Sequence, residues 1–187
     1  IKGLSTRSHL AAGVPGTVAG LIEVLEKFGT MPLSEVIQPA IDLASEGFLV
    51  PEDLVRRFES RIKDFTPYNA SMAVFTKDGI PYQAGELFIQ TDLSRTLSRI
   101  KQLGKSGFYE GETAKLIVQE MERGRGLISE EDLQAYESVW REPIRGTYRG
   151  YEIVSMPPPS SGGILLVQML NMLEPFDLGT MGFGVPE

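Results

Sequence analysis

Residues 148–173 constrain the fold of this chain more than any other segment. They begin with aromatic and β-branched residues, which favour an extended strand. Prolines at 157–159 end that strand, because proline has no N–H group to donate and its φ angle is fixed. Small residues follow at 160–163, and residues 164–173 are then almost wholly apolar. About ten residues are too few to cross a bilayer, so the sequence predicts a buried helix.

Composition and charge limit the class of partner. With 187 residues, the chain is long enough for one sizeable domain or for a large piece of a bigger protein. A hydrophobic content of 42% and a charged content of 23% are typical of a globular protein. The net charge of -7, without a cluster of lysines or arginines, argues against a nucleic-acid partner. Small molecules or other proteins are the expected partners.

The numbers of cysteines and histidines exclude several kinds of site. The chain has no cysteine, which excludes disulfides, thiolate metal sites and a cysteine nucleophile. Its single histidine, His9, excludes a histidine-rich metal site. No apolar run approaches about 18 residues, so no membrane span is predicted. Because Ile1 is not a natural translation start and residues 185–187 form no closing element, we expect a single piece, residues 1–187, truncated at both ends.

Apolar residues at helical spacing predict several helices. We expect Gly29 to end the first in the left-handed conformation and Gly47 to end the second. Thr17 is expected to cap the first helix, and Thr91 or Asp92 a later one. Ser129 and Asp132 resemble a capping box with aspartate in place of glutamate, at the start of a short helix towards Tyr136. The predicted helices cover residues 18–28, 34–46, 52–65, 93–103 (ended by Gly104), 112–123, 129–136 and 164–173.

Two pairs of strands are also expected. Asp78 and Gly79 are typical of a tight hairpin turn, and the segments on either side of them are predicted to pair. Later in the chain, two runs rich in β-formers are predicted to form an antiparallel pair. The fold class is therefore α+β and rich in helices, with a small hairpin and two late strands. The predicted strands are residues 72–75, 81–82, 139–148 and 151–156.

Several polar residues are candidates for a catalytic or binding role, but a structural role is favoured for most of them. No serine or cysteine nucleophile motif accompanies His9, so a structural role is favoured over that of a general base. Gly16 precedes a helix, whose N-terminus attracts anions, but a turn made with Pro15 is the favoured explanation. Acidic residues near 110–112 and 130–132 lie at predicted helix starts, where the helix dipole favours negative charge. We interpret them as caps rather than as a catalytic carboxylate pair.

Hydroxyls, a flexible backbone and a helix start converge at Ser160, Ser161, Gly162 and Gly163. These residues are candidates for lining a cleft and holding a carboxylate or an oxyanion. No general base lies nearby in the sequence, so a nucleophilic serine is poorly supported. Two roles stay open, namely capping of the following helix and direct contact with a substrate.

Two segments resemble the γ-glutamyltranspeptidase family. The first is Leu-Ala-Ala-Gly-Val-Pro-Gly-Thr-Val-Ala-Gly at residues 10–20. The second combines Tyr-Arg-Gly-Tyr at 148–151 with Met-Pro-Pro-Pro-Ser-Ser-Gly-Gly at 156–163. Such a long and ordered match is far more specific than one short motif. Between the two segments, further matches follow in the same order at residues 29–33, 38–40 and 127–133.

The resemblance implies an N-terminal-nucleophile hydrolase with an αββα core, made as a precursor that cleaves itself into a large and a small subunit. A threonine at the new N-terminus of the small subunit would attack the γ-glutamyl amide of a substrate such as glutathione, with its own α-amine as the base. The glutamyl group would then pass to water or to an acceptor amine. The resemblance implies no metal or organic cofactor. It also implies a periplasmic or extracellular location.

The sequence lacks the groups that would perform this chemistry. The Thr-Thr-His processing site of the family is absent, and the family's arginine for the substrate carboxylate lies upstream of the segment matched by residues 10–20. None of Arg7, Arg56 or Arg57 matches that arginine. We therefore predict that no catalytic residue lies in the chain, which would be a large-subunit fragment that is inactive without its small subunit.

Two alternatives stay open. A related acylase or polyglutamate-processing enzyme would share the fold, because the residues that determine substrate choice lie outside the chain. In a different class, the chain would work by itself as a non-catalytic helical interaction module. Its apolar faces would then all have to be covered.

Overall fold

The chain divides into two compact units, Ile1–Ser138 and Val139–Glu187. The structure is a computed structural model that describes residues 3–182 and Gly184, except for the side chain of Arg7. Both ends of the chain, on which the expectation of truncation rests, lie outside the described residues. That expectation, and with it the single piece of a larger subunit, stays a prediction.

Helices dominate the first unit. Two short antiparallel pairs join them, Phe48–Leu49 (β1) with Leu87–Phe88 (β4) and Thr76–Lys77 (β2) with Ile80–Pro81 (β3). A 3₁₀ turn at His9–Ala11 follows the first helix. The helices are α1 (Leu4–Arg7), α2 (Thr17–Phe28), α3 (Leu33–Val36), α4 (Gln38–Glu46), α5 (Glu52–Phe65), α6 (Asn69–Phe75), α7 (Thr91–Leu103), α8 (Ser106–Tyr109), α9 (Gly111–Gly124) and α10 (Glu130–Gln134).

The first core of this unit forms where α2, α8, α9 and α10 meet. Leu133 is 0% exposed and Tyr109 is 2% exposed, and three further side chains, Ala19, Ala114 and Ile128, complete the cluster. Removing large apolar side chains from water supplies most of the favourable free energy of folding. This cluster is therefore the main source of stability for these four helices.

The hydroxyl of Tyr109 also holds the start of α2. It donates to the carbonyl of Pro15 at 2.6 Å and accepts from the N–H of Ala19 at 3.2 Å. The expected cap by Thr17 is wrong, because Thr17 is the first residue of the helix and the N-cap residue, Gly16, has no side chain. A tyrosine from α8 thus satisfies an N–H group that an N-cap side chain would otherwise bind.

An aromatic cluster forms the second core. Val50, Phe58 and Phe88 are buried there. The ring of Phe88 lies 5.0 Å from that of Tyr82 and 5.6 Å from that of Phe58, edge to face in both pairs. Such pairs stabilise a fold by about 0.5–1.5 kcal/mol beyond the area they bury. The cluster joins α5 to the β1–β4 pair.

Helix α5 has the predicted bounds, whereas residues 34–46 form two helices instead of one. Helices α3 and α4 meet at Ile37, because Pro39 has no N–H to donate to the carbonyl four residues earlier. Gly47 ends α4 with φ 83°, as predicted. Gly29 follows the end of α2 but is extended, with φ -75° and ψ 153°, so the left-handed conformation predicted for it is wrong.

The Asp-Gly hairpin turn is confirmed, but one of its flanking segments is not a strand. Asp78 and Gly79 both have positive φ, 50° and 85°, as a two-residue turn of this kind requires. Residues 72–75 lie in α6, and the paired strands are the shorter β2 and β3. The prediction failed because four apolar residues in a row fit a helical turn as well as a strand.

One of the predicted side-chain caps is confirmed. At α10, Ser129 Oγ accepts from the N–H of Asp132 at 3.2 Å, and Asp132 Oδ2 accepts from the N–H of Ser129 at 2.9 Å, which is a capping box. The cap expected from Thr91 or Asp92 is wrong, because both residues lie within α7. The N-cap residue of α7 is Gln90, whose side chain makes no capping hydrogen bond.

In the second unit, a pair of strands carries one helix. Ile144–Tyr148 (β5) pairs antiparallel with Tyr151–Ser155 (β6), and Gly162–Leu173 (α11) packs on the pair. Both predicted strands are present but shorter, since residues 139–143 are not in a strand. The absence of a side chain at Gly146 lets α11 approach, because a Cβ there would lie 2.7 Å from Val167 Cγ1.

Helix α11 forms as predicted, but the prediction that it is buried is wrong. Within this described helix only Gly163 is buried, and Met169 and Met172 are 54% and 66% exposed. The helix has no charged residue, and within the second unit it packs on β5 and β6. Apolar composition indicates what a helix would bury, but it does not supply the surface that buries it.

The turn between β5 and β6 is tied to the end of α11. Arg149 has φ 49°, and its backbone N–H donates to both carboxylate oxygens of Glu174 at 3.0 and 3.1 Å. Its guanidinium donates to the carbonyl of Phe176 at 2.6 Å. The second unit is therefore joined at this end by polar contacts rather than by a core.

Candidate functional site

The four residues singled out in the sequence form the bend between β6 and α11. The N–H of Ser160 donates to the carbonyl of Pro157 at 3.2 Å, and Ser160 Oγ accepts from the N–H of Gly162 at 3.3 Å. Ser161 is the N-cap residue by position, but its side chain makes no capping hydrogen bond. Both serines are exposed. Local hydrogen bonding thus involves the hydroxyl of Ser160 and leaves that of Ser161 without a capping role.

Gly163 determines how closely α11 approaches the end of β6. A Cβ at this position would lie 2.2 Å from the carbonyl oxygen of Met156, which leaves no space for a side chain. At Gly162, the nearest atom to an added Cβ is Ser160 Oγ at 3.5 Å, an ordinary contact. The two adjacent glycines therefore differ, since Gly163 allows close packing and Gly162 provides a hydrogen-bond donor.

Two tyrosines, Tyr109 and Tyr136, fill the space at the start of α2, the second possible anion site. A Cβ on Gly16 would lie 2.1 Å from the hydroxyl oxygen of Tyr136. The ring of Tyr136 stacks on that of Tyr109, with 5.5 Å between centroids and 9° between planes. Since Tyr109 already accepts from the N–H of Ala19, the geometry favours the structural turn over an anion site. Burial raises the pKa of the Tyr109 hydroxyl, which therefore stays protonated.

His9 joins the N-terminal segment to α9. Its Nε2 lies 2.7 Å from Glu120 Oε1, and its side chain is 15% exposed. Arg123 donates to both oxygens of the same carboxylate, at 2.8 and 2.5 Å. The hydrogen bonds from Arg123 and from His9 lower the pKa of Glu120 to about 2. A Cβ on Gly124 would lie 2.1 Å from the His9 ring, so the imidazole is packed in place, which fits the structural interpretation.

The acidic residues 130–132 act as a cap rather than as a catalytic pair. Hydrogen bonds from the backbone N–H and the side chain of Ser129 lower the pKa of Asp132. Among residues 3–182 and Gly184, no cluster of three or more histidine, aspartate or glutamate side chains is placed to hold a metal ion. None of the described helices combines the length and the hydropathy that crossing a membrane requires.

The match to known families extends beyond these local features. The family model described as Gamma-glutamyltranspeptidase covers residues 2–187. The chain belongs to the γ-glutamyltranspeptidase family. The resemblance carried by residues 10–20 and 148–163 is therefore confirmed.

Two curated relatives illustrate the range of the family. The chain is 49% identical over 181 residues to the glutathione hydrolase proenzyme of Escherichia coli strain K12, which covers 96% of this chain and 31% of that protein. It is 42% identical over 174 residues to the acylase ACY 1 proenzyme of Pseudomonas sp. strain V22, which covers 93% of this chain and 31% of that protein. The chain spans about 31% of the length of these relatives.

The fold agrees with a solved member of the family. The crystal structure of Helicobacter pylori γ-glutamyltranspeptidase matches with a TM-score of 0.95 and 46% sequence identity, over 99% of this chain and 53% of that chain. The helix-rich α+β class, as part of the N-terminal-nucleophile hydrolase fold, is therefore confirmed.

Sequence reasoning missed the polar contacts that join distant segments. The spacing of Glu120 and Arg123, three residues apart on a predicted helix, is a signal for their ion pair. Nothing local indicates that His9 joins them from 111 residues away. Tyr109 likewise carries no local sign of its contacts with Pro15 and Ala19, because neither lies on its own helix.

Proposed function

We propose that this chain is the large-subunit part of a proenzyme that hydrolyses or transfers the γ-glutamyl groups of glutathione-like substrates. The observation that carries the proposal is the 49% identity to a glutathione hydrolase proenzyme over 96% of this chain. The nucleophile in this proposal is the N-terminal threonine of a small subunit released from the same precursor, outside residues 1–187. The chain supplies the scaffold and part of the substrate cleft.

The chemistry divides between the two subunits. The threonine hydroxyl loses its proton to its own α-amine and attacks the γ-glutamyl carbonyl, and the C–N bond of the substrate breaks as the leaving amine takes up that proton. Water or an acceptor amine then attacks the acyl-enzyme and releases the threonine. The residues of this chain do not enter either bond change, so their contribution is to bind and orient the substrate.

In this proposal Ser160, Ser161, Gly162 and Gly163 line the cleft. The first-turn N–H groups of a helix have no partner within the helix and lie at the positive end of its dipole. Ser160 accepts from Gly162 and still has a hydroxyl hydrogen to donate, and Ser161 is exposed beside it. Donors of this kind suit a substrate carboxylate or a developing oxyanion. Gly163 has a positioning role, because it lets this end of α11 lie against β6.

Activity of the whole precursor and of the isolated chain tests the assignment. The mature two-subunit protein is expected to release the aniline from a γ-glutamyl anilide, and residues 1–187 alone are expected to release none. Product formed by the isolated chain would contradict the placement of the nucleophile outside it. A mature parent that cleaves no γ-glutamyl amide would overturn the function itself.

Two serine substitutions test the cleft. In the whole enzyme, Ser160→Ala and Ser161→Ala are expected to raise KM several-fold or to slow self-cleavage, while Tm stays unchanged. The control is Ser60→Ala, which removes another exposed hydroxyl, one that donates to the carbonyl of Arg57 on α5. If both variants keep the kinetics and the self-cleavage of the parent, these residues do not line the cleft.

A second candidate function is that of an acylase, and the 42% identity to the acylase ACY 1 proenzyme favours keeping it. Relative rates separate the two. A γ-glutamyl amide should be cleaved much faster than an acyl amide that lacks the α-amino acid group, and the reverse order would favour the acylase. Preference for a poly-γ-glutamate chain over both would favour a polyglutamate-processing enzyme.

The exposed apolar surface of α11 argues against a stand-alone interaction module. If residues 1–187 are monomeric and bind no hydrophobic dye, the module gains support. Dye binding or obligate association favours the proenzyme. The partner we propose is the small subunit of the same precursor, and the location is the periplasm or the outside of the cell. Fractionation of cells that express the whole gene checks the location.

A further inference from the structure

The turn between β5 and β6 contains a residue that fits it poorly. Arg149 and Gly150 form a two-residue turn with φ 49° and 82°, since Tyr148 pairs with Tyr151. Positive φ is uncommon for residues other than glycine, asparagine and aspartate. Another two-residue turn of the chain, with φ 50° and 85°, has aspartate, Asp78, at the same position. The geometry of the turn therefore does not account for an arginine at position 149.

The end of α11 also carries a residue that is locally unfavourable. Glu174 is the C-cap residue of this helix, and a negative charge at a helix C-terminus opposes the helix dipole. Both carboxylate oxygens of Glu174 accept from the backbone N–H of Arg149, and the Arg149 guanidinium donates to the carbonyl of Phe176. Two locally unfavourable residues thus meet in one set of contacts, formed by Arg149, Glu174 and Phe176, which we name the α11 tie.

The α11 tie lies at the opposite end of the helix from the candidate site. Strand β6 runs from the Arg149 turn to the bend at Ser160 and Ser161, and α11 then runs back to that turn. Its 12 residues extend over about 18 Å. The helix is therefore held at one end by the bend that carries the candidate site and at the other end by the tie.

Other close contacts of α11 determine how far it lies from the strands. The absence of a Cβ at Gly163 and Gly146 lets the helix lie against Met156 and lets Val167 lie against β5. Glycine has no side chain that would interlock with a neighbour, and Gly163 is the one buried residue of this described helix. Such packing determines the position of α11 along its own axis only weakly. The tie determines it more strongly, because hydrogen bonds require a short distance and a restricted direction.

We propose that the α11 tie is a positioning contact for the candidate site at the start of the same helix. By holding α11 along its axis, it places Ser160 and Ser161 where a substrate carboxylate or a developing oxyanion would lie. A displacement of about 1 Å is enough to weaken a contact of this kind. The inference rests on the proposed function. It adds Arg149 and Glu174 as positioning residues that do not touch the substrate.

Arg149→Asn in the whole two-subunit enzyme separates positioning from stability. Asparagine favours positive φ but has no guanidinium, so Tm should stay the same or rise. KM for a γ-glutamyl anilide should nevertheless rise about three-fold or more. The control is Asp78→Asn, at the matching position of the other turn, which should change neither value. An unchanged KM in Arg149→Asn, or a raised KM accompanied by a lower Tm, would overturn the proposal.

Two changes at Glu174 test the other half of the tie. Glu174→Ala removes the acceptor, whereas Glu174→Gln keeps one carbonyl oxygen that can accept from the N–H of Arg149. We expect KM to rise in the alanine variant and to stay close to that of the parent in the glutamine variant. Equal KM values in these two variants would contradict a positioning role for the hydrogen bond.

A combined variant shows whether the tie acts through the candidate site. Independent changes about 18 Å apart are expected to multiply in their effects on KM. Arg149→Asn added to the pair Ser160→Ala and Ser161→Ala is instead expected to raise KM no further than the serine changes alone. Multiplied effects would mean that Arg149 acts elsewhere. If removal of both hydroxyls leaves KM unchanged, the candidate site and its positioning contact are both wrong.

Hydrogen exchange tests the tie without relying on activity. In Arg149→Asn, the backbone amides of residues 160–165 should exchange about three-fold faster or more than in the parent, whereas those of α9 should not change. Faster exchange in a protein whose parent cleaves no γ-glutamyl anilide would remove the function and keep the positioning contact. An active parent in which Arg149→Asn changes neither exchange nor KM would remove the contact and keep the function.

Discussion

Different interactions stabilise the interior of each of the two units of this chain. The first has two clusters of buried side chains, centred on Leu133 and on Phe88. The second places one helix on one strand pair, with a single buried residue in that helix and polar ties at the Arg149 turn. The difference teaches that a segment can have the correct secondary structure without the burial that its composition predicts. Both units leave large apolar side chains exposed, but the first also buries two clusters of side chains, whereas the described helix α11 of the second unit buries only Gly163.

Replacing one large apolar side chain in each unit, buried in the first and exposed in the second, should give the largest contrast in the free energy of unfolding. Leu133→Ala is expected to lower the free energy of unfolding by about 2–5 kcal/mol, because it leaves a cavity at a site with no exposure. Met169→Ala on the outer side of α11 should change it by about 0.5 kcal/mol or less, as surface changes do. Urea unfolding of residues 1–187 measures both. Equal losses would mean that α11 is covered in solution and would remove the contrast between the units.

The adjacent glycines at the start of α11 provide the next test. Gly163→Ala is expected to cost about 1–3 kcal/mol, because the added methyl collides with the carbonyl of Met156. Gly162→Ala is the matched control and should be neutral or stabilising by up to about 1 kcal/mol, since alanine favours a helix more than glycine does. Far-UV circular dichroism during urea unfolding of the second unit reports both values. A neutral Gly163→Ala would show that the contact between α11 and β6 is looser than described.

Removing the hydroxyl of Tyr109 tests how much its hydrogen bonds at the start of α2 stabilise the first unit. Tyr109→Phe keeps the ring but removes the hydroxyl, and leaves the N–H of Ala19 buried without its acceptor. A loss of about 1–3 kcal/mol is expected from an unsatisfied buried donor. Tyr151→Phe, at an exposed tyrosine of the second unit, should have no measurable effect. If the two variants unfold at the same urea concentration, the hydroxyl of Tyr109 does not stabilise the helix.

The smallest effect is expected at Glu120 and depends on pH. Its pKa in the folded chain is about 2, below the ordinary 4.5, so its contribution is fully present above pH 4.5 and is lost as the pH falls through about 2. Because the carboxylate is 41% exposed, we expect Glu120→Gln to cost only about 1 kcal/mol or less at pH 7. The urea midpoint of the variant should be lower than that of the parent at pH 7, and the difference between them should become small at pH 2. The control is Glu122→Gln on the same helix, and a pH-independent difference for Glu120→Gln would contradict the assignment.

Local sequence patterns predicted most of the helices, because the spacing of apolar residues and the position of glycines act within a few residues. The bounds of α5, the turn at Asp78 and Gly79, and the capping box of Ser129 all follow from such short-range rules. Predictions failed where a contact with a distant part of the chain determines the local structure. At α2, the expected cap by Thr17 is replaced by the hydroxyl of Tyr109.

The bend that carries the candidate site residues was predicted, but only part of its local structure was. The order of proline, serine and glycine correctly located the bend between a strand and a helix. The sequence did not distinguish Gly163 from Gly162, because the difference lies in the distance to Met156 rather than in residue type. The exposure of α11 was not predictable either, since it depends on surfaces that the apolar pattern does not describe.

The two hydrogen bonds of the Tyr109 hydroxyl also bear on the order of folding. They join residues 90 and 94 positions apart, and the chain between such residues must lose much of its freedom before they meet. Helix α2 can therefore begin to form early but gains its tyrosine cap only after α8 has docked. A contact made after the transition state slows unfolding without speeding folding. The hydrogen bonds of Tyr109 are thus expected to form late in folding and to lengthen the lifetime of the folded first unit.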